Sequence, residues 1–257
     1  MPILARDVMT TRVITLNESS SVINAVDLMV SHGFRHVPII RENSVIGVVT
    51  ALDIIRQVDK SSPQVLSGLL KDLSTFSSYV KASPEDGIDA VINGMKGGID
   101  VALVFEGNNV VGIITERDLV HKLPDQLFSR RRVFDAMSRD PITLDIDFSL
   151  GDAIKTMTIH NIRHLIIARG DRVMGVLSVR DVLRHFKKQM ELRKSIDLNV
   201  SVSQLMSHNL ITIDPSATII DAVHLMRSNS ISSLPVVEQG RLMGIITERD
   251  LIREIKL

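Results

Sequence analysis

Hydrophobic and polar residues follow the same order four times along the chain. Each time, a short apolar run precedes a polar stretch and a segment with apolar residues at helical spacing, such as SSVINAVDLMVSHG at residues 20–33. Two apolar runs around a polar turn come next, as in HVPIIRENSVIGVV at residues 36–49, and a second amphipathic segment follows. The pattern predicts four β-α-β-β-α repeats.

An octapeptide at the end of the hairpin makes the repeat explicit. GIITERDL at residues 112–119 returns unchanged at 244–251, while GVVTALDI at 47–54 and GVLSVRDV at 175–182 keep its Gly, its Thr or Ser, and its Asp. Superimposing the four glycines also aligns one alanine in each repeat without gaps, namely Ala25, Ala90, Ala153 and Ala222. An internal repeat of roughly 60 residues therefore organises the chain.

The similarity between repeats alternates. Repeats one and three share ITL and an Arg-His pair, whereas repeats two and four share GIITERDL, which indicates that a unit of two repeats was duplicated. A unit of about 60 residues buries too little surface to be comfortably stable alone. We therefore expect repeat one to pair with two and repeat three with four. The expected boundaries are residues 1–60, 66–123, 130–190 and 197–257.

Composition narrows the class of protein. The 257 residues include 30 basic and 30 acidic side chains, so there is no broad attraction to a nucleic-acid backbone. The absence of cysteine excludes a disulfide framework and cysteine-ligated zinc. No apolar run approaches the 18 or more residues of a spanning helix. We expect a soluble, cytoplasmic protein with neither a membrane nor a nucleic-acid partner.

The Thr or Ser of the octapeptide lies at a predicted helix start, three residues before the Asp. This arrangement is typical of a capping box, which needs no ligand. Two details favour a ligand in addition to capping. The capping box prefers Glu or Gln, whereas all four copies carry Asp. A Gly inside a strand, as found before each Thr or Ser, usually marks the close approach of a backbone or a ligand. The four aspartates are Asp53, Asp118, Asp181 and Asp250. A helix N-terminus suits phosphate, and a carboxylate suits the two hydroxyls of a ribose.

These residues resemble CBS domains, the module named after cystathionine β-synthase. The resemblance rests on the V-x-G-h-h-T/S-x-x-D signature, where h is apolar, and covers nearly the whole chain. It implies an α/β fold of the α+β type, with the repeats paired into two modules that form a disc from one chain, and it leaves a homodimer open. Chains of this kind are similar to γ regulatory subunits of AMP-activated protein kinases and to stand-alone prokaryotic CBS proteins. The implied ligands are AMP, ADP, ATP or S-adenosylmethionine, and the implied role is regulation of a protein partner.

The resemblance also implies the ligand sites. In this family a site is completed across a pair of repeats: one T/S-x-x-D holds ribose and phosphate, and the partner supplies its first strand and the residues ahead of its second strand. Two such clefts contain an Arg-His pair, joining Thr115 and Asp118 to Thr15, Arg35 and His36, and Thr247 and Asp250 to Thr143, Arg163 and His164. A third joins Ser178 and Asp181 to Thr212, Ser232 and Ser233, and a fourth joins Thr50 and Asp53 to Val80 and Asp100.

The charged residues predicted in each cleft rank the four clefts by their expected affinity for phosphate. The Arg-His pairs at the Asp118 and Asp250 clefts would donate charge-assisted hydrogen bonds to phosphate. The Asp181 cleft offers serine hydroxyls, and Asp100 would repel phosphate from the Asp53 cleft. We therefore expect occupancy to follow Asp118 and Asp250 first, Asp181 next and Asp53 last.

Other candidate residues are weaker. Three arginines lie next to motif aspartates and either contact phosphate or are exposed first-turn residues, namely Arg117, Arg180 and Arg249. Two histidine pairs are four residues apart, His32 with His36 and His160 with His164. The second member of each begins a predicted strand, so the helical spacing fails and we predict no metal.

No motif indicates catalysis. The chain lacks a nucleophile elbow and a P-loop, so we predict a non-enzymatic protein that needs no cofactor. The alternative functions are an interaction scaffold whose motifs only cap helices and an S-adenosylmethionine-binding regulator. A DNA-binding regulator is disfavoured because the chain shows neither a helix-turn-helix segment nor a basic face.

Overall fold

A computed structural model describes residues 2–74 and 76–256 and contains the predicted repeats. Helix α1 (Ala5–Val8) precedes repeat one, which contains β1 (Leu16–Asn17), α2 (Val22–His32), β2 (His36–Arg41), β3 (Ser44–Thr50) and α3 (Ala51–Ser61). Repeat two contains β4 (Val80–Ala82), α4 (Ile88–Lys96), β5 (Val101–Glu106), β6 (Asn109–Thr115) and α5 (Glu116–Lys122). Helix α6 (Val133–Ala136) precedes repeat three, which contains β7 (Thr143–Asp145), α7 (Leu150–His160), β8 (His164–Arg169), β9 (Arg172–Ser178) and α8 (Val179–Glu191). Repeat four contains α9 (Ile219–Asn229), β10 (Ser233–Glu238), β11 (Arg241–Thr247) and α10 (Glu248–Arg253).

Each repeat is built around an antiparallel hairpin. In repeats one to three, the short first strand pairs in parallel with the first hairpin strand, so that the intervening helix crosses over the sheet. The predicted first strand of repeat four is reduced to one parallel bridge between Ile213 and Val236. Ile213 makes both hydrogen bonds of that bridge, to Pro235 and Val237. The strand prediction is therefore confirmed for the hairpins and only in this residual form for the start of repeat four.

The chain divides into two compact units that differ from the predicted modules. Repeats two and four, with residues Met1–Val13, Ser78–Pro141 and Ile211–Leu257, form what we call the even unit. Repeats one and three, with residues Ile14–Ser77 and Ile142–Leu210, form the odd unit. In the odd unit α2 packs against α8 and α3 against α7, and in the even unit α5 packs against α10. Helix packing thus joins alternate repeats, while the expected pairing of consecutive repeats into a disc stays a prediction.

Consecutive repeats are nevertheless linked by an exchange of the segments that precede them. The leading segment of repeat one (residues 2–13) packs on repeat two, and that of repeat two (residues 62–74, 76 and 77) packs on repeat one. Repeats three and four exchange residues 124–141 and 192–210 in the same way. Four backbone bridges mark the exchange, at equivalent positions of the second hairpin strand: Thr10 with Ile113, Ser77 with Val48, Ser138 with Ile245 and Ser207 with Val176.

The leading segments explain the glycine inside the second hairpin strand. A Cβ added at Gly244 would lie 2.5 Å from the carbonyl oxygen of Ser138, and one added at Gly175 would lie 2.7 Å from that of Ser207. Side chains of the leading segments crowd the other two glycines similarly. Of the two readings of this glycine, the structure supports the close approach of a backbone.

Candidate functional site

The four motif aspartates close capping boxes at the starts of α3, α5, α8 and α10. Oδ2 of Asp53 accepts from the backbone N–H of Thr50 at 2.9 Å and from its hydroxyl at 2.7 Å. The corresponding two distances are 2.9 and 2.7 Å for Asp118, 2.8 and 2.6 Å for Asp181, and 2.9 and 2.8 Å for Asp250. The preference of the box for Glu or Gln is therefore no argument for a ligand here, because aspartate reaches the cap directly.

The same box also occurs where no ligand was expected. Ser149 and Asp152 form it at the start of α7, and Thr218 and Asp221 form it at the start of α9. Asp152 and Asp221 are exposed, whereas the side chains of Asp53 and Asp250 are only 9% and 12% exposed. The motif therefore does not by itself identify a ligand site, and what distinguishes the second-helix aspartates is their burial.

The four motif aspartates differ at their other oxygen, Oδ1. That of Asp118 accepts from Thr10 at 2.9 Å and pairs with Lys122 at 2.8 Å. Arg56 lies 3.1 Å from Oδ1 of Asp53 and Arg184 lies 2.7 Å from Oδ1 of Asp181. Arg253 lies 3.8 Å from Oδ1 of Asp250, beyond hydrogen-bonding distance. Within the described part of the chain, no group donates a hydrogen bond to Oδ1 of Asp250.

Asp250 also differs electrostatically. Burial raises its pKa, and the hydrogen bonds from Thr247 and the charge of Arg253 act in the opposite direction without compensating. In contrast, hydrogen bonds from Thr218 lower the pKa of the exposed Asp221. A largely buried carboxylate whose second oxygen accepts no hydrogen bond from the described residues is a place where hydroxyl donors of a ligand would stabilise the negative charge.

Thr10 and Ser77 are site residues that sequence reasoning missed. Thr10 donates to Asp118, and the hydroxyl of Ser77 donates to Oδ2 of Asp53 at 2.7 Å. Both belong to exchanged leading segments. A signal exists in the sequence: Met9-Thr10, Met137-Ser138 and Met206-Ser207 all lie at the same distance from their repeat's glycine. The equivalent Phe76-Ser77 is displaced by two residues, so an alignment without gaps does not detect it.

Arg117 and Arg249 each pair with a carboxylate of the other copy of the octapeptide. Arg117 Nε donates to Glu248 at 3.2 Å and Arg249 Nε donates to Glu116 at 3.0 Å, across the contact between repeats two and four. Both arginines are therefore partly buried rather than fully exposed, and their contact with phosphate stays a prediction. Arg249 also pairs with Asp100. This pair partly neutralises the charge of Asp100. The expected repulsion of phosphate by Asp100, which ranked the Asp53 cleft last, is therefore weakened.

The remaining predicted site residues lie at the ends of strands. Arg35, His36, Ser232 and Ser233 are buried, Thr143 and Thr212 are exposed, and Thr15, Arg163 and His164 are intermediate. In each predicted cleft, the motif aspartate and the residues predicted to face it belong to different units. Asp118 and Asp250 lie in the even unit, and the Arg-His pairs lie in the odd unit. Asp53 and Asp181 lie in the odd unit, and the residues predicted to face them lie in the even unit, namely Val80, Thr212, Ser232 and Ser233. The sites completed across repeats therefore remain predictions.

The histidine pairs have the predicted local structure. Helix α2 ends at His32 and β2 begins at His36, and α7 ends at His160 where β8 begins at His164. Over residues 2–74 and 76–256, no group of three or more His, Asp or Glu side chains could hold a metal ion. None of the helices described in those ranges is long and apolar enough to cross a membrane.

Three β-α-β-β-α repeats and a fourth whose first strand is a single bridge, each with a buried or half-buried T/S-x-x-D at its second helix, define a tandem repeat protein. The profile of the CBS domain matches residues 5–60, 70–125, 133–188 and 202–257. The chain belongs to the CBS-domain family.

Known proteins share the whole four-repeat arrangement. Protein MJ1225 of Methanocaldococcus jannaschii is 22% identical over 94% of this chain and 95% of its own length. Its crystal structure, described as that of a candidate archaeal homologue of γ-AMPK, superimposes with a TM-score of 0.85 at 21% identity, covering 98% of this chain and 99% of that one. An uncharacterised Thermofilum pendens protein is 26% identical over 92% of this chain and 86% of its own length. An uncharacterised Pyrococcus horikoshii structure matches at 19% identity over 98% of this chain and 99% of that one, with a TM-score of 0.64. The structural likeness establishes the fold.

Proposed function

We propose that this chain is a non-enzymatic regulatory protein that reversibly binds AMP, ADP or ATP at its T/S-x-x-D motifs and transmits occupancy to a protein partner. Asp250 carries the proposal. Its Oδ2 is engaged in the capping box, its Oδ1 has only Arg253 at 3.8 Å, and burial raises its pKa. The two hydroxyls of a ribose would donate hydrogen bonds that stabilise the ionised form.

Two further points support adenylates. The family and the description of MJ1225 as a candidate homologue of γ-AMPK favour energy-related nucleotides over other ligands. The predicted neighbours of Asp250, Arg163 and His164, would supply cationic donors to a phosphate. S-Adenosylmethionine shares the ribose and lacks the phosphate, so it is the second candidate.

Different contacts of the two aspartates support different affinities for the two clefts that sequence ranked equally. Oδ1 of Asp118 already accepts from Thr10 and pairs with Lys122, so a ribose hydroxyl would share or displace these contacts. Oδ1 of Asp250 requires no such displacement. We therefore place the Asp250 site ahead of the Asp118 site in affinity.

Calorimetric titration of nucleotide-free protein with AMP, ADP, ATP and S-adenosylmethionine tests the proposal. We expect Asp250→Ala to remove the tightest adenylate site and Asp118→Ala to remove a weaker one. Asp221→Ala is the matched control, because Asp221 forms the same box in the same repeat but is exposed. It should leave the stoichiometry unchanged. Binding of S-adenosylmethionine alone would establish the second candidate, and no binding of any of the four would favour the interaction scaffold.

A further inference from the structure

Protein groups occupy every hydrogen-bonding position of the Asp118 carboxylate. A carboxylate offers about four lone-pair positions, shared equally between its two oxygens. On Oδ2, the backbone N–H and the hydroxyl of Thr115 donate at 2.9 and 2.7 Å. On Oδ1, the hydroxyl of Thr10 donates at 2.9 Å and the ammonium of Lys122 lies at 2.8 Å. A ribose hydroxyl can therefore reach this carboxylate only if one of these contacts gives way.

The two contacts on Oδ1 are the ones that can give way. The contacts on Oδ2 close the capping box at the start of α5, and breaking them would leave an amide at the helix start without its partner. In contrast, Thr10 is exposed and the side chain of Lys122 is 37% exposed, so water can replace the carboxylate as their partner. Hydroxyl donors of a ligand would therefore displace Thr10 or Lys122 before Thr115.

Both contacts on Oδ1 also hold the leading segment of repeat one. Thr10 belongs to that segment, and its backbone exchanges two hydrogen bonds with Ile113, at 2.8 and 3.0 Å. Nζ of Lys122 donates to the carbonyl of Val8 at 2.7 Å and to the hydroxyl of Thr10 at 3.1 Å. The carboxylate of Asp118, the ammonium and the segment thus form one hydrogen-bonded cluster. Losing a contact on Oδ1 weakens the docking of this end of the segment.

Helix α1, at the other end of the segment, is held independently of Asp118. Ala5 and Val8 are at most 1% exposed and belong to the core of the even unit. The N–H of Ala5 also donates to the carbonyl of Asp86 at 2.8 Å. These contacts do not involve the carboxylate, so the loosening is confined to residues 9–13.

The leading segment of repeat three provides an internal control. At the position equivalent to Thr10, Ser138 exchanges backbone hydrogen bonds with Ile245 at 2.9 and 3.0 Å. No group among the described residues donates to Oδ1 of Asp250, whose nearest cation is 3.8 Å away. This segment therefore docks without that oxygen, and a ligand at Asp250 should leave it in place.

We propose that binding of a ribose at Asp118 releases residues 9–13 from the hairpin of repeat two, so that the leading segment of repeat one reports the occupancy of this site. The inference rests on the proposed function, because the ligand is the same adenylate. The ribose hydroxyls take over Oδ1, Thr10 and Lys122 turn to water, and the backbone bridge to Ile113 opens more often. Docking of the segment and binding of the nucleotide compete for one oxygen, and each weakens the other by the same factor.

Hydrogen exchange of nucleotide-free protein, with and without saturating AMP, tests the release. We expect the amides of Thr10 and Ile113 to exchange about tenfold faster with AMP, as for the loss of one hydrogen bond to a charged group. The amides of Ala5 and Ser138 should keep their rates. In Asp118→Ala, AMP should accelerate none of these amides.

Thr10→Val tests the competition in the opposite direction. The substitution removes the hydroxyl at nearly constant volume, so it should tighten AMP binding at the Asp118 site about tenfold in calorimetric titration. A merely structural role of Thr10 would leave this affinity unchanged or weaken it. Ser138→Ala is the matched control, and it should leave the affinity of the Asp250 site unchanged.

The outcomes separate this inference from the proposed function. Unchanged or slower exchange at Thr10, in protein whose Asp118 site binds AMP, would overturn the release and leave the proposed function intact. An AMP isotherm that Asp118→Ala does not alter would also overturn the release and leave a nucleotide site at Asp250. No binding of AMP, ADP, ATP or S-adenosylmethionine would overturn both. If S-adenosylmethionine alone binds, its ribose should accelerate exchange at Thr10 in the same way, and failure to do so would overturn the release.

Discussion

Arg117 on α5 donates a hydrogen bond to Glu248 on α10 at 3.2 Å, and Arg249 returns the same contact to Glu116 at 3.0 Å. Each copy of GIITERDL thus supplies one donor and one acceptor to the other, as in a self-complementary interface. This reciprocity explains why the octapeptide occurs twice without change. In the odd unit the Glu position is held by Ala51 and Val179, both buried.

Removing one of these arginines should destabilise the even unit. In Arg117→Ala, the buried carboxylate of Glu248 loses a charged partner, and we expect the free energy of unfolding to fall by about 3 kcal/mol, the lower end for a buried ion pair. Chemical denaturation measures it. Arg12→Ala, which removes an exposed arginine of the same unit, should cost less than about 0.5 kcal/mol. Equal effects of the two substitutions would contradict a role for the pair.

Adding a methyl group at Gly244 should loosen the leading segment of repeat three. The new Cβ would lie 2.5 Å from the carbonyl oxygen of Ser138, so Gly244→Ala should cost about 1 to 3 kcal/mol. Gly151→Ala is the control, because its Cβ would lie no closer than 3.5 Å to any neighbour and α7 gains helix propensity. A thermal melt in which both variants matched the wild type would show that the segment does not dock as described.

Asp250 and Asp221 should respond to pH in opposite directions. Burial raises the pKa of Asp250, so its contribution to stability is full below the ordinary pKa of the group and is lost as the pH rises through the raised value. Hydrogen bonds from Thr218 lower the pKa of Asp221, so its contribution is present above the ordinary pKa and is lost as the pH falls. We expect Asp250→Asn to gain relative stability with rising pH and Asp221→Asn to lose it, measured by urea denaturation from pH 3 to 7. Parallel pH profiles for the two variants would contradict this.

His121 should make the even unit sensitive to mild acid. Burial lowers the pKa of His121, the charge of Glu248 opposes that effect, and Nε2 is buried without a partner among the described residues. Its contribution to stability is therefore complete above the ordinary pKa of 6.5 and is lost as the pH falls toward the lowered value. His121→Gln should flatten the stability profile between pH 5 and 7. The control His208→Gln, at an exposed histidine, should keep the wild-type slope.

Hydrophobic periodicity predicted the hairpins and main helices because each repeat buries one face of every element. The same periodicity could not predict the two units, since the contacts of α2 with α8 and of α3 with α7 join residues far apart in sequence. At the candidate site, the T/S-x-x-D positions were predictable from the repeat. The role of Thr10 was not, because it lies outside the repeat that it serves.

The exchange of leading segments sets an order on folding during synthesis. Residues 2–13 are synthesised before repeat two, on which they dock. The strand that they contact is complete only after Ile113 has been added. At 5–20 residues per second, this order corresponds to a delay of roughly 5 to 20 s. The leading segment of repeat two, by contrast, finds Val48 already made. Residues 124–141 must wait in turn for Ile245. The docking of leading segments therefore proceeds in steps of two repeats, and a ribosome stalled after one repeat would hold a leading segment with no strand to dock on.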